Sequence, residues 1–428
     1  MNKKLVAVAI AGLLAAPLAQ AQTANVTLYG RLNMDVEWVN GKIITPTGTI
    51  PLNQNGGVQP AACLAGPTAG TVTSCITSNP SQFRVATNSS RFGLRGTESL
   101  GGGLEAIFQI ESSVSPDVSG GTLAGRDSFL GLRGKWGTFR MGRFHAPYDN
   151  IHELWGSNPT LLTGILATSA IWAQGFATNT QQFDDRVANS VRWDSPVWSG
   201  FQLQAQYGNA QGTNSEGSTT AQASNSGVMS VGGFYNNGPV AIGLAWRQNM
   251  QQRARGLFDN AYSVAMSYQF PSVKIGAVYE KLDYECANGV AFNVACSTAA
   301  GGPGTKAGTT NLTRNMVGVG VTWNVGPGVL YADWSWGQEG KGSVANGARV
   351  AGLAKGPDSD ANQYEISYNY PLSKRTQVYA GYNKVANGAM AAYNFGVNPY
   401  PSGSSGTQGN LAYGGRPQGF VIGMFHNF

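Results

Sequence analysis

The chain has 428 residues, and only 12% of them are charged, about half the share usual in soluble proteins. The formal net charge of +6 is too small and too dispersed to indicate a nucleic-acid-binding protein. The high glycine content of 59 residues, and the lack of a long apolar run beyond the N-terminal region, argue against several soluble domains and against membrane helices.

Residues 1–21 have the pattern of a secretory signal peptide. Lys3 and Lys4 precede an apolar stretch over residues 5–18, and Ala19, Gln20 and Ala21 form a small-x-small cleavage site. The competing interpretation is a membrane anchor, for which the apolar stretch is short. We therefore expect cleavage after Ala21, which leaves residues 22–428 as one exported domain.

The first segment of this domain has the period-two pattern of a β-strand. A helix would spread its apolar residues around the circumference, whereas a strand places them on one face. The length suits a tilted strand that crosses a membrane. One face carries Val26, Leu28, Gly30, Leu32, Met34, Val36 and Trp38, and the other carries Tyr29, Arg31, Asn33, Asp35 and Glu37.

Four cysteines lie in stretches rich in Gly, Ser, Thr and Pro, which we interpret as surface loops. An exported chain meets an oxidising compartment, so we expect disulfides. Of the three possible connectivities, the spacing favours Cys63 with Cys75 and Cys286 with Cys296. A four-cysteine zinc site would need closer spacing, and we expect no metal.

Short turns alternate with long polar loops along the rest of the chain. Seven turns and eight loops make 7 + 8 = 15 connections, and these imply sixteen strands. This even, alternating layout predicts an all-β fold, a transmembrane antiparallel β-barrel wide enough for an aqueous channel. The turns are 98–103, 134–137, 196–200, 236–239, 270–272, 326–328 and 370–373. The loops are 40–81, 113–126, 145–185, 209–227, 249–258, 282–312, 337–360 and 386–414.

Four arginines in the predicted strands lie on the face opposite the apolar residues. They are Arg31, Arg91, Arg95 and Arg133. An arginine on the lipid side would cost about 2–4 kcal/mol at the membrane midplane, whereas it stays hydrated in the lumen. These side chains are therefore predicted to line the pore.

The third long loop, 145–185, combines acidic residues with an apolar stretch over residues 161–171. An exposed loop seldom contains such a stretch, but a loop packed against an inner wall can. Asp149, Glu153, Asp184 and Asp185 are candidates for the negative side of a transverse electric field in the pore.

The last segment repeats the strand pattern. Reading back in steps of two from Phe428 gives His426, Met424, Ile422 and Phe420, which form a mostly apolar face. This strand is predicted to pair with the first one, because a barrel in lipid leaves no open edge.

Several runs of the sequence resemble the general porins of Gram-negative bacteria, and the beta-proteobacterial branch most closely. They are VTLYG at 26–30, SRFGLRGTESLGGGL at 90–104, GTFRMGR at 137–143 and the closing strand. The resemblance implies an outer-membrane homotrimer of barrels in contact with lipid and lipopolysaccharide. Each barrel would have a pore narrowed by the third loop, which folds inward. It implies passive diffusion of small hydrophilic solutes, with no cofactor and no catalytic residues. One departure is Phe425, where family members commonly carry arginine.

The resemblance also implies a small arginine cluster that favours anions at the constriction. The matching positions are Arg91, Arg126 and Arg186. Arginine keeps its charge and has a planar fork that suits carboxylates and phosphates. The alternative is that these arginines pair with Glu98, Glu111, Asp127 or Asp184 and only brace the barrel, and the sequence leaves both interpretations open.

Three other functions compete with a general porin. An outer-membrane enzyme would need a positioned histidine, and His145, His152 and His426 belong to no recognisable catalytic motif. A substrate-specific channel has the same barrel pattern. A soluble sheet protein would have to cover its apolar faces with a second sheet.

Overall fold

The computed structural model describes residues 25–43, 50–51, 71–72, 81–156, 164–174, 182–209, 226–252, 257–287, 309–344, 346, 348–350, 353–400, 411 and 414–428. Within these ranges, no helix has both the length and the apolar character needed to cross a membrane.

The described residues form a closed antiparallel β-barrel of sixteen strands. The first half consists of β1 (Asn25–Ile43), β2 (split into Gln82–Thr87 and Arg91–Gly101), β3 (Leu104–Ser113), β4 (Ser128–Gly134), β5 (Gly137–His145), β6 (Arg186–Asp194), β7 (Phe201–Asn209) and β8 (Gly227–Asn237). The second half consists of β9 (Val240–Met250), β10 (Phe258–Gln269), β11 (Val273–Ala287), β12 (Thr309–Val325), β13 (Gly328–Gly337), β14 (Ala361–Pro371), β15 (Thr376–Asn387) and β16 (Gly415–Asn427).

Short elements lie in the loops. Two-residue strands occur at Ile50–Pro51, Thr71–Val72, Lys341–Gly342, Arg349–Val350 and Leu353–Ala354. The third loop contains the four-residue helix α1 (His152–Trp155) and 3-10 turns at Pro147–Ile151, Gly164–Leu166, Thr168–Ala170 and Trp172–Gln174.

The barrel closes where β16 pairs with β1, as predicted. The register runs from Arg31 opposite Asn427 to Ile43 opposite Gly415. The backbones of Gly30 and Phe428 also exchange two hydrogen bonds, of 3.0 and 3.1 Å. The predicted face of the closing strand points outward, with Phe420, Ile422, Met424 and Phe428 all exposed on the wall.

The wall has an apolar outside and a polar inside. In β1, Leu28 and Trp38 are more than 60% exposed, whereas Asn33 and Glu37 on the other face are fully buried. The predicted alternation is therefore confirmed, and it matches a barrel surrounded by lipid with a polar interior.

All seven predicted turns lie between consecutive strands, but one predicted loop begins too early. Strands β11 and β12 stay paired as far as Ala287 and Thr309, well into the predicted loop 282–312. The inward side chains explain this, because buried Tyr284 packs against Phe183 of the third loop, with ring centroids 5.6 Å apart. The prediction that Cys286 lies in a loop was wrong, since it is in β11.

Cys286 is disulfide-bonded in the structure. Cys63, Cys75 and Cys296 lie outside the described residues, so the pairing favoured by the spacing stays a prediction.

The third loop folds into the barrel, as predicted. Trp155, Ile165, Leu166, Ile171 and Trp172 are at most 2% exposed. They pack on wall positions that lack side chains, for example Trp155 beside Gly318 and Gly320, and Leu166 beside Gly381. Glycines in the wall thus leave the space that the loop fills.

Candidate functional site

Two arginines contact one glutamate at the inner wall of β1–β3, and a third arginine lies opposite one of them. Arg31 and Arg91 are direct cross-strand partners. Arg91 Nε lies 3.7 Å from one oxygen of Glu111, and Arg126 Nε lies 2.5 Å from the other. Tyr29 donates its hydroxyl to the same carboxylate at 3.0 Å. Like charges opposite each other destabilise a sheet. The one carboxylate of Glu111 offsets only one of the positive charges, so this corner keeps a net positive charge.

The loop before β4 links this corner to a second charged group. Arg186 Nε lies 2.5 Å from Asp127 Oδ1, and Asp127 is the neighbour of Arg126 in the chain. Burial lowers the pKa of Arg126, and the positive charges of Arg186 and Arg91 lower it further, against the opposing effect of Glu111. The structure therefore brings together the three arginines implied by the resemblance.

Arg31 also contacts the closing strand. Its guanidinium carbon lies 4.0 Å from the ring centroid of Phe425, a cation–π distance. The departure at Phe425 thus places an aromatic face where members of the resembling family commonly carry another positive charge.

The other two predicted arginines lie nearer the short-turn end of the barrel. Arg95 stacks on Tyr29 at 5.0 Å from the ring centroid. Arg133 lies next to the turn after β4, and its Nη1 is 3.4 Å from Glu105 Oε2, with both side chains partly exposed. These two arginines therefore have partners other than Glu111.

Three of the four predicted acidic residues lie at the base of the third loop, where Asp149 is buried and Asp184 and Asp185 are partly buried. Asp149 Oδ2 accepts a hydrogen bond from the backbone of Ala146 at 2.7 Å and lies 3.9 Å from His145 Nδ1. Burial raises the pKa of Asp149, and the charge of Asp184 raises it further. Asp185 forms an ion pair with Arg247. These carboxylates are therefore in contact with basic groups, and their part in a transverse field stays a prediction.

Glu153 is separate from this group. Its side chain is exposed on α1, and Lys274 Nζ donates to its backbone carbonyl at 3.1 Å. Lys274 is the second residue of β11, close to the turn 270–272, so Glu153 faces the short-turn half of the lumen.

Buried arginines that the sequence analysis did not select hold the inward loops in place. Arg314 Nη2 lies 2.5 Å from Glu280, and its Nη1 donates to the carbonyl of Ile171 at 2.8 Å and to the Tyr393 hydroxyl at 3.1 Å. Arg84 pairs with Glu37 and donates to the carbonyl of Pro399 at 2.9 Å. The strand alternation could have indicated both arginines, because each lies on the inward face of a strand.

Residues 391–400 of the last long loop also lie inside the barrel, which the sequence did not predict. Tyr393, Phe395 and Tyr400 are at most 1% exposed, and Gly396 packs against Ser169 of the third loop. Asn398 donates to Asn88 at 2.7 Å, which ties this loop to the break in β2. In the described part of the chain, the third loop and the last long loop therefore both contribute residues to the interior of the barrel.

The histidines have packing and hydrogen-bonding partners. His152 is buried, stacks on Trp172 at 4.8 Å between centroids and contacts the Thr168 hydroxyl. Burial lowers the pKa of His152, so the ring is neutral at pH 7. His426 Nδ1 lies 2.9 Å from the Thr376 hydroxyl at the end of the closing strand.

Comparison with known proteins adds to this geometry. The family model described as Gram-negative porin matches residues 6–389. An outer membrane porin protein of Bordetella pertussis is 30% identical over 314 residues, which are 68% of this chain and 76% of that protein. The major outer membrane protein P.IB of Neisseria sicca is 28% identical over 405 residues, 91% of this chain and 95% of that protein. The P.IA protein of a Neisseria meningitidis serogroup A strain aligns over 50% of this chain and 48% of its own length, with 31% identity.

Solved structures show the same fold. The anion-selective porin from Comamonas acidovorans has a TM-score of 0.62 and 21% identity, and the match covers 95% of this chain and all of that one. The OmpT outer membrane protein of Vibrio cholerae in its trimer form has a TM-score of 0.56 and 12% identity, again over 95% of this chain.

Proposed function

This chain belongs to the beta-proteobacterial Gram-negative porins of the outer membrane, and we propose that it is a general diffusion channel that prefers anions. Small hydrophilic solutes cross the lumen passively, and no chemical step is needed. The polar inner wall and the two inward loops support this proposal, because they give a wet passage of restricted width.

The observation that carries the anion preference is the contact of Arg91 and Arg126 with the single carboxylate of Glu111, with Arg31 directly opposite Arg91. The side chain of Arg91 is 29% exposed, so its charge acts on the lumen as well as on Glu111. A fixed positive wall raises the local concentration of anions and repels cations. The anion-selective porin from Comamonas acidovorans supports the same preference by its likeness in fold.

The experiment replaces Arg91 and Arg126 together by glutamine and measures reversal potentials of the channel in a salt gradient. One charge at 4 Å in water contributes about 1 kcal/mol, or about five-fold in local ion concentration. We therefore expect the anion-to-cation permeability ratio to fall several-fold. Arg133→Gln, at the short-turn rim, is the control and should leave the ratio unchanged.

The bracing alternative gives a different result. If these arginines only stabilise the wall, the double variant loses thermal stability while its permeability ratio stays at the wild-type value. That outcome would remove the anion preference from the proposal and leave the diffusion channel itself intact.

We further propose that the protein is a homotrimer whose exposed apolar wall contacts outer-membrane lipid and lipopolysaccharide, and that residues 1–21 are removed on export. The trimer form of the Vibrio cholerae protein supports the assembly by likeness of fold. Crosslinking of intact outer membranes tests the trimer, and the mass of the purified protein tests the removal of residues 1–21.

A further inference from the structure

A pair of buried carboxylates lies on the inner wall where β13 meets β14. Asp333 and Glu365 are direct cross-strand partners, and they are 7% and 4% exposed. Partners of this kind have Cβ atoms about 5 Å apart, so the two carboxyl groups approach each other.

Asp333 differs from the other buried carboxylates of the wall. Glu37, Asp194 and Glu280 each form an ion pair with an arginine. Among the described residues, no nitrogen or hydroxyl donor reaches either oxygen of the Asp333 carboxyl group, which faces only the carboxyl group of Glu365. Burying a charged carboxylate without compensation costs several kcal/mol.

More buried oxygen atoms belong to residues at neighbouring positions on the inner wall. Four neighbouring side chains on the inward face have an oxygen without a hydrogen-bond partner in the described part of the chain, and they are Tyr331, Ser335, Gln363 and Asn383. Tyr331 and Ser335 flank Asp333 along β13, Gln363 flanks Glu365 along β14, and Asn383 is the cross-strand partner of Glu365 on β15. All four side chains are fully buried.

Gly320 shows that two of the oxygens converge beside Asp333. It is the cross-strand partner of Asp333 on β12. A Cβ atom on Gly320 would lie 3.0 Å from the Tyr331 hydroxyl and would collide with the carbonyl oxygen of Trp155 in the third loop. A hydroxyl and a backbone carbonyl thus converge over Gly320, the strand position directly opposite Asp333.

We propose that this oxygen cluster, made of Asp333, Glu365 and their neighbours, binds a divalent cation of the Ca²⁺ type behind the third loop. Ca²⁺ takes six to eight oxygen ligands from carboxylates, carbonyls and other neutral groups, and this patch offers such donors. A proton shared by the two carboxyl groups is the simpler rival. It engages one oxygen of Asp333 and leaves the second without a partner. The proposal departs from the expectation of no metal drawn from the sequence, because the signal is a cross-strand pairing and not a motif.

The test uses the folded full-length protein in detergent, stripped with EDTA and dialysed against Ca²⁺. Atomic emission should find one tightly held Ca²⁺ per chain, and Tb³⁺ in its place should luminesce on excitation of nearby Tyr331. In Asp333→Asn we expect the affinity to fall at least about ten-fold, as for the loss of supporting groups at metal sites. Asp194→Asn, a buried carboxylate already paired with Arg140 and Arg192, should bind as the wild type does.

Two results would overturn the proposal. One is a wild-type protein that holds no Ca²⁺ after dialysis, which would leave the shared proton as the explanation of the pair. The other is equal binding by Asp333→Asn and wild type, which would place the ion elsewhere. If Asp333→Asn does not fold, Glu365→Gln gives the same comparison. Channel conductance is not the readout, so the outcome is independent of the proposed anion preference.

Discussion

Asp149 and Asp184 show how single residues in this wall constrain one another. Both lie in the third loop at its two ends, and a buried position holds their carboxyl groups together. Two carboxylates in contact cannot both be ionised without a large cost, so one proton is shared. The raised pKa of Asp149 assigns that proton to Asp149. The two ends of the loop are therefore joined by a protonated acid.

A pH prediction follows for Asp149. A carboxyl group with a raised folded pKa contributes stability that is complete below the usual Asp pKa of about 3.9 and is lost as the pH rises through the raised value. Wild-type thermal stability should therefore decline through this window. Asp149→Asn cannot ionise and keeps the acceptor for Ala146, so its midpoint should decline less. Thermal unfolding across a pH series measures this, with Glu105→Gln as an exposed control. Parallel curves for wild type and Asp149→Asn would contradict the shared proton.

At the scale of elements, the third loop is positioned by glycines of the wall, which have no side chains to exclude it. Gly276 of β11 and Gly318 and Gly320 of β12 make a trough that receives the end of α1. The loop contributes apolar contacts, and Arg314 holds it in place by donating a hydrogen bond to the carbonyl of Ile171. The path of the loop is thus determined by where the strands lack Cβ atoms.

Filling this trough should displace the loop. A Cβ on Gly276 would lie 2.6 Å from both the Leu154 carbonyl oxygen and the Trp155 Cα, which are backbone atoms that cannot rotate away. We expect Gly276→Val to cost about 1–3 kcal/mol by overpacking and to raise single-channel conductance as the loop moves. Gly233→Val is the control, because the nearest atoms to its Cβ are flexible side chains at 3.7 Å. Wild-type conductance in a folded Gly276→Val barrel would argue that the loop does not set the width.

For the whole molecule, the junction of β16 with β1 decides whether the lumen is sealed. Beyond the paired strands, the ring of Phe428 covers Gly30, where a side chain would collide with it. The ring is 44% exposed, so it contributes partial burial in addition to the two backbone hydrogen bonds.

Phe428→Ala tests the closure. Loss of a half-buried ring should cost about 1–2 kcal/mol at 25 cal/mol per Å² and weaken the junction. We expect the folded band to disappear at a lower temperature on gels that resolve folded from heated protein. Phe270→Ala, with a ring 45% exposed at a turn away from the junction, should change this temperature less. Equal shifts in both variants would mean that the junction has no special role.

The sequence predicts the wall much better than the interior. Alternation in β1 and β16 is a local signal, since one face meets lipid along the whole strand, and it yields strand number, faces and turns. The contacts that place the inward loops are long-range, such as Arg84 with Pro399, 315 residues away. No local pattern in the sequence indicates these contacts. The sequence analysis therefore predicted neither the position of the last loop inside the barrel nor the burial of Asp149. Strand alternation placed Arg91 on the inward face, whereas Arg126 and Arg186 were found only through likeness to a family.

The burial of residues 391–395 and Tyr400 in the last loop has a consequence for recognition at the cell surface. Residues 391–395 and Tyr400 face the interior of the channel, although the loop joins two strands at the long-loop rim. Antisera against this peptide would find little of it on intact bacteria, and a phage receptor-binding tip would have to engage other parts of the rim. Variation under immune pressure would accordingly concentrate away from this segment, where changes would instead alter what permeates.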